Sequence, residues 1–285
     1  MKNNDLFIYK NRATVSLGRL NEQRYCPFTC AFCSAQDEDT EQYLPNEISD
    51  IINFLESNKD KFDIVYVSGN TDSFAPPRTD RGIELLDQIA KKIDTDILFT
   101  TRTTFSPEQL QKLKDIVTLQ KAKNKELFSA ISITRYSEKN EYLEPYPNPT
   151  PDERIKTLIA LKKLGSTTVL ALRPFLPMVS LEEYMTILDK CGKHTDIVLG
   201  CNFHFKDTKS QSLQRVFKGN PTDEENIKLS QVDYFNKKGI WNNIICADYE
   251  SKIREKCEQL GPVFSMSSID AITEYKEQKN LEIVN

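Results

Sequence analysis

Short runs of β-branched and apolar residues alternate along the chain with longer stretches whose apolar positions recur every three or four residues. The runs Ala13–Leu17, Ile64–Ser68, Ile97–Thr101, Phe128–Thr134, Thr168–Arg173 and Ile197–Cys201 read as strands, with a further one at Asn243–Ala247. Between them, Ile48–Asn58 and Ile83–Ile93 have the period of amphipathic helices. This alternation predicts an α/β fold built from parallel βαβ units. Six strands fall short of the eight that close a TIM barrel, so a partial, six-stranded (β/α) TIM-like barrel is expected. A doubly wound open sheet is the alternative.

Helix starts are marked in the sequence itself. Ser106-Pro107-Glu108-Gln109 and Thr150-Pro151-Asp152-Glu153 each offer a hydroxyl cap, a proline at the first helical position and an acid or amide three residues on. Ser180-Leu181-Glu182-Glu183 and Thr222-Asp223-Glu224-Glu225 repeat the capping box without the proline. No repeat or linker interrupts the 285 residues, so one domain over 1–285 is expected, with 205–285 its less defined C-terminal part.

Composition removes several chemistries. The 38 Lys+Arg against 42 Asp+Glu give a net charge of −4, which argues against a protein whose main task is to neutralise a phosphate backbone. No apolar stretch approaches the roughly 18 residues of a membrane span, and Met1–Asp5 has no signal-like core; a cytoplasmic protein is expected, with no membrane partner. Two histidines, His194 and His204, exclude a multi-histidine metal site within one chain. Among only nine glycines there is no dinucleotide fingerprint, P-loop or nucleophile elbow.

Cysteine changes the picture. Seven cysteines, an odd number, make a disulfide framework a poor reading. Three of them stand in Arg24-Tyr25-Cys26-Pro27-Phe28-Thr29-Cys30-Ala31-Phe32-Cys33, a C-x3-C-x2-C spacing between the first strand and the first helix. A short irregular loop can turn three thiolates onto one face of a [4Fe–4S] cube, leaving one iron for a ligand that is not protein. Zinc in a structural or regulatory module is the competing metal, but it wants four protein ligands, and no second C-x2-C hook is present.

This segment resembles the cluster loop of the radical S-adenosylmethionine (SAM) superfamily, with an aromatic residue, Phe32, before the third cysteine. The resemblance covers residues 12–200 and implies a partial (β/α)6 barrel of the radical SAM type. It implies a [4Fe–4S] cluster on Cys26, Cys30 and Cys33 that chelates SAM and reductively cleaves it. The 5′-deoxyadenosyl radical so formed would abstract hydrogen from substrate. A flavodoxin- or ferredoxin-type electron donor comes with the same resemblance.

Further residues follow by position. In Val67-Ser68-Gly69-Asn70-Thr71-Asp72 the superfamily has a G-G-E-like loop for the SAM amino group; Gly69 fits, the glutamate is missing, and Asn70 or Asp72 is the expected substitute. Arg102 resembles a cation of the spore photoproduct lyase branch that pairs with the SAM carboxylate. Ser132 and Arg135 occupy the place of ribose or carboxylate contacts, and Arg173 opens an R-x-P-x-x-P-like segment. Glu144, in a proline-rich loop with Arg154 after it, is read as orienting an arginine or the ribose. Cys201, at the end of the sixth strand, is expected to return a hydrogen atom to a product radical; Tyr136 is a second candidate for that role. His204 is a candidate proton shuttle. Cys191, Cys201, Cys246 and Cys257 lack the hook of an auxiliary cluster and read as small buried hydrophobes, Cys201 apart. The expected substrate is a small polar or nucleotide-like molecule, ahead of nucleic-acid repair or modification and of peptide modification such as epimerisation.

Overall fold

A computed structural model describes residues 5–19, 26–37, 45–218, 227–232 and 241–284. The hairpin β1 (Leu6–Tyr9) and β2 (Arg12–Val15) opens the fold. Five strands follow: β3 (Ile64–Val67), β4 (Asp96–Thr101), β5 (Leu127–Ser132), β6 (Thr167–Phe175) and β7 (Ile197–Phe205). From β2 to β7 each strand pairs in parallel with its successor. Strand order therefore follows chain order without the reversal that defines a doubly wound sheet, and that alternative is corrected here.

Helices α1 (Ile48–Glu56), α2 (Thr79–Lys92), α3 (Pro107–Ala122), α4 (Pro151–Lys163) and α5 (Leu181–Cys191) fill the crossovers. The chain then runs through α6 (Gln211–Val216), β8 (Ile227–Val232), β9 (Trp241–Cys246), α7 (Tyr249–Leu260), β10 (Val263–Ser265) and α8 (Ser268–Val284). The far half of β7 pairs antiparallel with β9, and β9 with β8. The near half of β7 pairs in parallel with β10, which extends the six expected parallel strands by one.

The pleat sorts the strand residues into two cores. Ala13, Val15, Val65, Val67, Ile97 and Phe99 pack outward under the helices. Ile64, Tyr66, Leu98, Phe128, Ala130 and Val169 point into the barrel. There α8 adds Ala271 and Ile272, with Tyr275 set edge-on to Phe128 at 6.1 Å between ring centroids. Each of the valine, leucine, isoleucine and phenylalanine side chains so removed from water contributes about 1.5–3 kcal/mol. Ion pairs from Lys276 to Asp96 and from Lys279 to Glu126 anchor the second half of α8 near the strand starts. Its first turn is thereby left facing the barrel interior. No described helix is long and apolar enough to cross a membrane.

Two capping boxes form as the sequence implies. Ser106 Oγ accepts from Gln109 N, and Gln109 Oε1 from Ser106 N, while Thr150 and Glu153 make the same reciprocal pair. At Ser180 only half of the box forms. Its Oγ accepts from Glu183 N, but the Glu183 carboxylate instead accepts from Tyr136 N, Ser137 N and Asn140 Nδ2. Three donors of one turn outcompete a single cap N–H. The Thr222 box lies outside the described residues.

Candidate active site

The C-terminal ends of the parallel strands, the cysteine loop and the first turn of α8 surround a cavity of about 590 Å³, within the usual range of ligand sites. Cys26, Cys30 and Cys33 all line it. The loop is held from both sides: Ala31 N donates to Leu143 O at 2.9 Å, and Ser212 N donates to Asp37 Oδ1 at 2.8 Å. Phe28 and Phe32 of the loop are themselves buried. Burial, with Asp72 next in weight, pushes the Cys26 thiol up to about 12; burial also pushes Cys30 up to about 12, against the nearby Arg102. Thiols so desolvated hold their protons until a cation replaces them, which suits metal ligands. Among the described residues no group of three or more His, Cys, Asp or Glu side chains converges as the ligands of a single ion would. Three thiolates fit a cube that takes one per iron and leaves the fourth iron open better than they fit a structural zinc ion, which wants four protein ligands.

Behind the loop lies a buried charge network. Glu144 is 1% exposed and accepts from Arg154 Nη1 at 3.1 Å, Arg154 Nη2 at 2.5 Å and Arg102 Nε at 3.2 Å. Burial alone would raise its pKa; Arg154 and Arg102 outweigh that and hold the carboxyl down to about 2. Arg154, wholly buried, also donates to Ser132 O at 2.7 Å. The Arg102 guanidinium lies 5.3 Å from the centroid of the Phe32 ring. Burial works against its charge, yet Cys30 and Glu144 hold its pKa above the ordinary value. The residue expected to orient an arginine thus holds two.

Gly69, Asn70, Asp72, Arg102, Ser132, Arg173, Cys201 and His204 all reach the cavity wall, together with Phe32. Gly69 is required by packing within the protein: a Cβ there would stand 2.8 Å from Thr14 Cγ2 and 3.1 Å from Tyr66 Cε1. Asp72 differs from expectation. Its carboxylate accepts from Phe74 N, Thr101 Oγ1 and Arg102 N, so it clamps the loop after β3 to the end of β4 instead of offering a free ligand oxygen. Burial raises its pKa despite those bonds.

Arg135 and Tyr136, which follow β5, are not among the residues that line the cavity. Arg135 donates to Ser137 O and Glu144 O, and Tyr136 Oη donates to Asp152 Oδ1 at 2.9 Å. Arg173 Nε donates to Gly200 O at 3.3 Å, and among the described residues no carboxylate pairs with it. Burial raises the Cys201 pKa, with Arg173 acting against it. Sequence reasoning missed Arg12, Thr14, Tyr66, Thr100 and Ser268 on the same wall. The signal for Arg12 and Thr14 was present, since both alternate with the apolar Ala13 and Val15.

A parallel barrel with a three-cysteine loop at its strand ends defines a class of SAM-dependent iron–sulfur enzymes. The chain belongs to the radical SAM superfamily, whose model matches residues 20–191. It is an enzyme of that superfamily, and membership implies SAM and an iron–sulfur cluster.

The fold is similar to a spore photoproduct lyase variant with bound AdoMet and dinucleoside spore photoproduct, with a TM-score of 0.59 at 12% identity over 87% of this chain and 72% of that one. It is similar to methylornithine synthase, with a TM-score of 0.52 at 15% identity over 87% and 65%. Streptococcus suis SuiB bound to S-adenosylmethionine gives 0.51 at 16% identity over 66% and 40%. At these identities the likeness is one of fold. No curated protein matches the chain.

Proposed function

We propose that this enzyme carries a [4Fe–4S] cluster on Cys26, Cys30 and Cys33 and cleaves SAM reductively to act on a small polar substrate. The observation that carries the reading is that the three thiols of the loop, Cys26 and Cys30 pushed up by burial, line one cavity together with polar groups from the strand ends. When bound, the cluster supplies one electron to the SAM sulfonium, and the 5′-deoxyadenosyl radical supplies hydrogen abstraction.

The chain's own residues bind and orient. Arg102, fixed by Glu144 and stacked on Phe32, presents a guanidinium suited to the SAM carboxylate. Asn70 and Ser132 offer polar contacts beside it, and Gly69 lets the loop lie close. Arg173, without a carboxylate partner among the described residues, offers a second anion contact. Asp72 acts as a strut for the Arg102 backbone and not as a ligand. The Cys201 thiol, whose pKa burial raises, can pass a hydrogen atom to a substrate carbon radical; one electron from the donor and one proton then restore the thiol from the thiyl radical. His204 moves a proton at the same wall. An external flavodoxin- or ferredoxin-type protein supplies the electron.

Electron paramagnetic resonance of the anaerobically reconstituted, dithionite-reduced protein tests this reading. A reduced-cluster signal that shifts when SAM is added supports it. Zinc without labile sulfide would replace it with the structural-module reading.

A further inference from the structure

One fixed cation near the cysteine loop has no part in the cluster and SAM readings. Arg78 stands at the N-cap position of α2, directly after Pro76 and Pro77. Its main chain is held on both sides: Arg78 N donates to Ala75 O at 3.0 Å, and Gly82 N donates to Arg78 O at 2.9 Å. The side chain is half-buried and joins two loops. Nη1 donates to Gly18 O at 2.9 Å and Nη2 to Asp72 O at 3.3 Å. Gly18 stands in the chain between β2 and the three cysteines, and Asp72 belongs to the loop after β3. Asp72 carries the contact onward. Its backbone N–H is directed to the Cys26 sulfur while its carbonyl accepts from Arg78. One residue of backbone thus separates sulfur from guanidinium, which sets their distance at no more than about 10 Å.

This cation differs from Arg102. Arg78 does not line the cavity, so neither SAM nor substrate touches it. Its two acceptors are neutral carbonyls, and among the described residues no carboxylate oxygen bonds to it. The ionisable groups around it are Cys26, the carboxylates of Asp72 and the buried Asp5, and the Arg81 guanidinium. The Asp72 carboxylate is already taken by Phe74 N, Thr101 Oγ1 and Arg102 N, and Arg81 pairs with Glu47. Burial works against the charge of Arg78, and Cys26 comes next, working for it; a guanidinium stays protonated in either case. A cube held by three thiolates carries negative charge, and reduction adds to it. Net charge nearby is one of the factors that set the potential of such a cluster. A fixed cation therefore favours the reduced form over the oxidised one.

We propose that Arg78, held near Cys26 by the carbonyls of Gly18 and Asp72, raises the reduction potential of the cluster through its fixed positive charge. The proposal rests on the [4Fe–4S] reading of the three cysteines. Arg78 is neither a ligand nor a substrate contact; it acts through the cluster. Its charge lowers the reducing strength that the external electron donor must supply.

The test is a redox titration of the anaerobically reconstituted protein without SAM, followed by electron paramagnetic resonance. Wild type, Arg78→Gln and Arg78→Lys are compared, with iron and sulfide counted on each sample. Asp72, Asp5 and Arg81 are present in all three, so the comparison reads the charge at position 78 alone. Arg78→Gln keeps a hydrogen-bond donor and loses the charge. It should shift the reduction equilibrium about tenfold towards the oxidised form, a fall of about 59 mV for one electron. Arg78→Lys keeps the charge and loses the planar fork, and should stay within about threefold of wild type. A wild-type potential in Arg78→Gln overturns the proposal. So does an Arg78→Lys that falls as far as Arg78→Gln, because the side chain would then serve as a staple between loops. Should Arg78→Gln hold no iron, Arg78→Lys decides: a loaded cluster at the wild-type potential supports the charge, and an empty site or a lowered potential overturns it. Wild type without iron and sulfide is a separate failure, which removes the cluster reading and this proposal with it.

Discussion

Arg102, at the end of β4, donates its Nε–H to Glu144 at 3.2 Å across 42 positions of sequence. That contact ties the cation beside Cys30 to the proline-rich loop before α4. Glu144→Gln keeps the shape and removes the charge that Arg154, wholly buried, depends on. Breaking a buried pair from one side costs about 3–5 kcal/mol. Urea unfolding should show that loss, and SAM affinity should fall with it as Arg102 loses its brace. A loss under about 1 kcal/mol would mean that solvent reaches the network.

The same carboxylate sets an acid limb of stability. Arg154 and Arg102 overcome burial and hold Glu144 from its ordinary 4.5 down to about 2. A depressed carboxyl stabilises the fold fully above its unfolded pKa, and the contribution drains away as pH falls from about 4.5 towards 2. Linkage puts it at about 3 kcal/mol. Asp72, raised by burial, acts in the opposite direction, so the comparison that isolates Glu144 is wild type against Glu144→Gln. Unfolding free energies at pH 6, 4 and 3 should converge between the two proteins.

Thr150→Ala removes the cap of α4, the helix whose first turn carries Arg154. The expected cost is about 1 kcal/mol, read by thermal unfolding. Thr150→Ser should recover most of it, because a hydroxyl remains to accept from Glu153 N.

Gly69→Ala places a methyl group 2.8 Å from Thr14 Cγ2. The loop or the Tyr66 ring must shift, at a cost of about 1–3 kcal/mol. SAM binding, followed by equilibrium dialysis, should weaken alongside stability. An unchanged dissociation constant would remove Gly69 from the SAM subsite.

The barrel strands were legible because apolar, β-branched runs buried on both faces leave a dense signal, as in Ile64–Val67 and Leu127–Ser132. Short partners were not: β1, β8 and β10 owe their pairing to neighbouring strands more than to any period of their own. The cysteine loop was legible from spacing alone. Arg135 and Tyr136 fall outside the cavity lining, which distance beyond a strand end does not foretell: Tyr136 N and Ser137 N donate to Glu183, which lies on α5. Asp72 carried no mark of the three donors that claim it. Arg12 lay one residue before the expected start of its strand, and its partner Ser268 is 256 positions away.

Anaerobic reconstitution of wild type and Cys30→Ala, followed by dithionite reduction with SAM and quantification of 5′-deoxyadenosine, tests the central claim most directly. Wild type should hold about four irons with matching sulfide per chain and release 5′-deoxyadenosine, while Cys30→Ala should lose the cluster and the product together. Undiminished 5′-deoxyadenosine from Cys30→Ala, or its absence from an iron-replete wild type, would contradict the account.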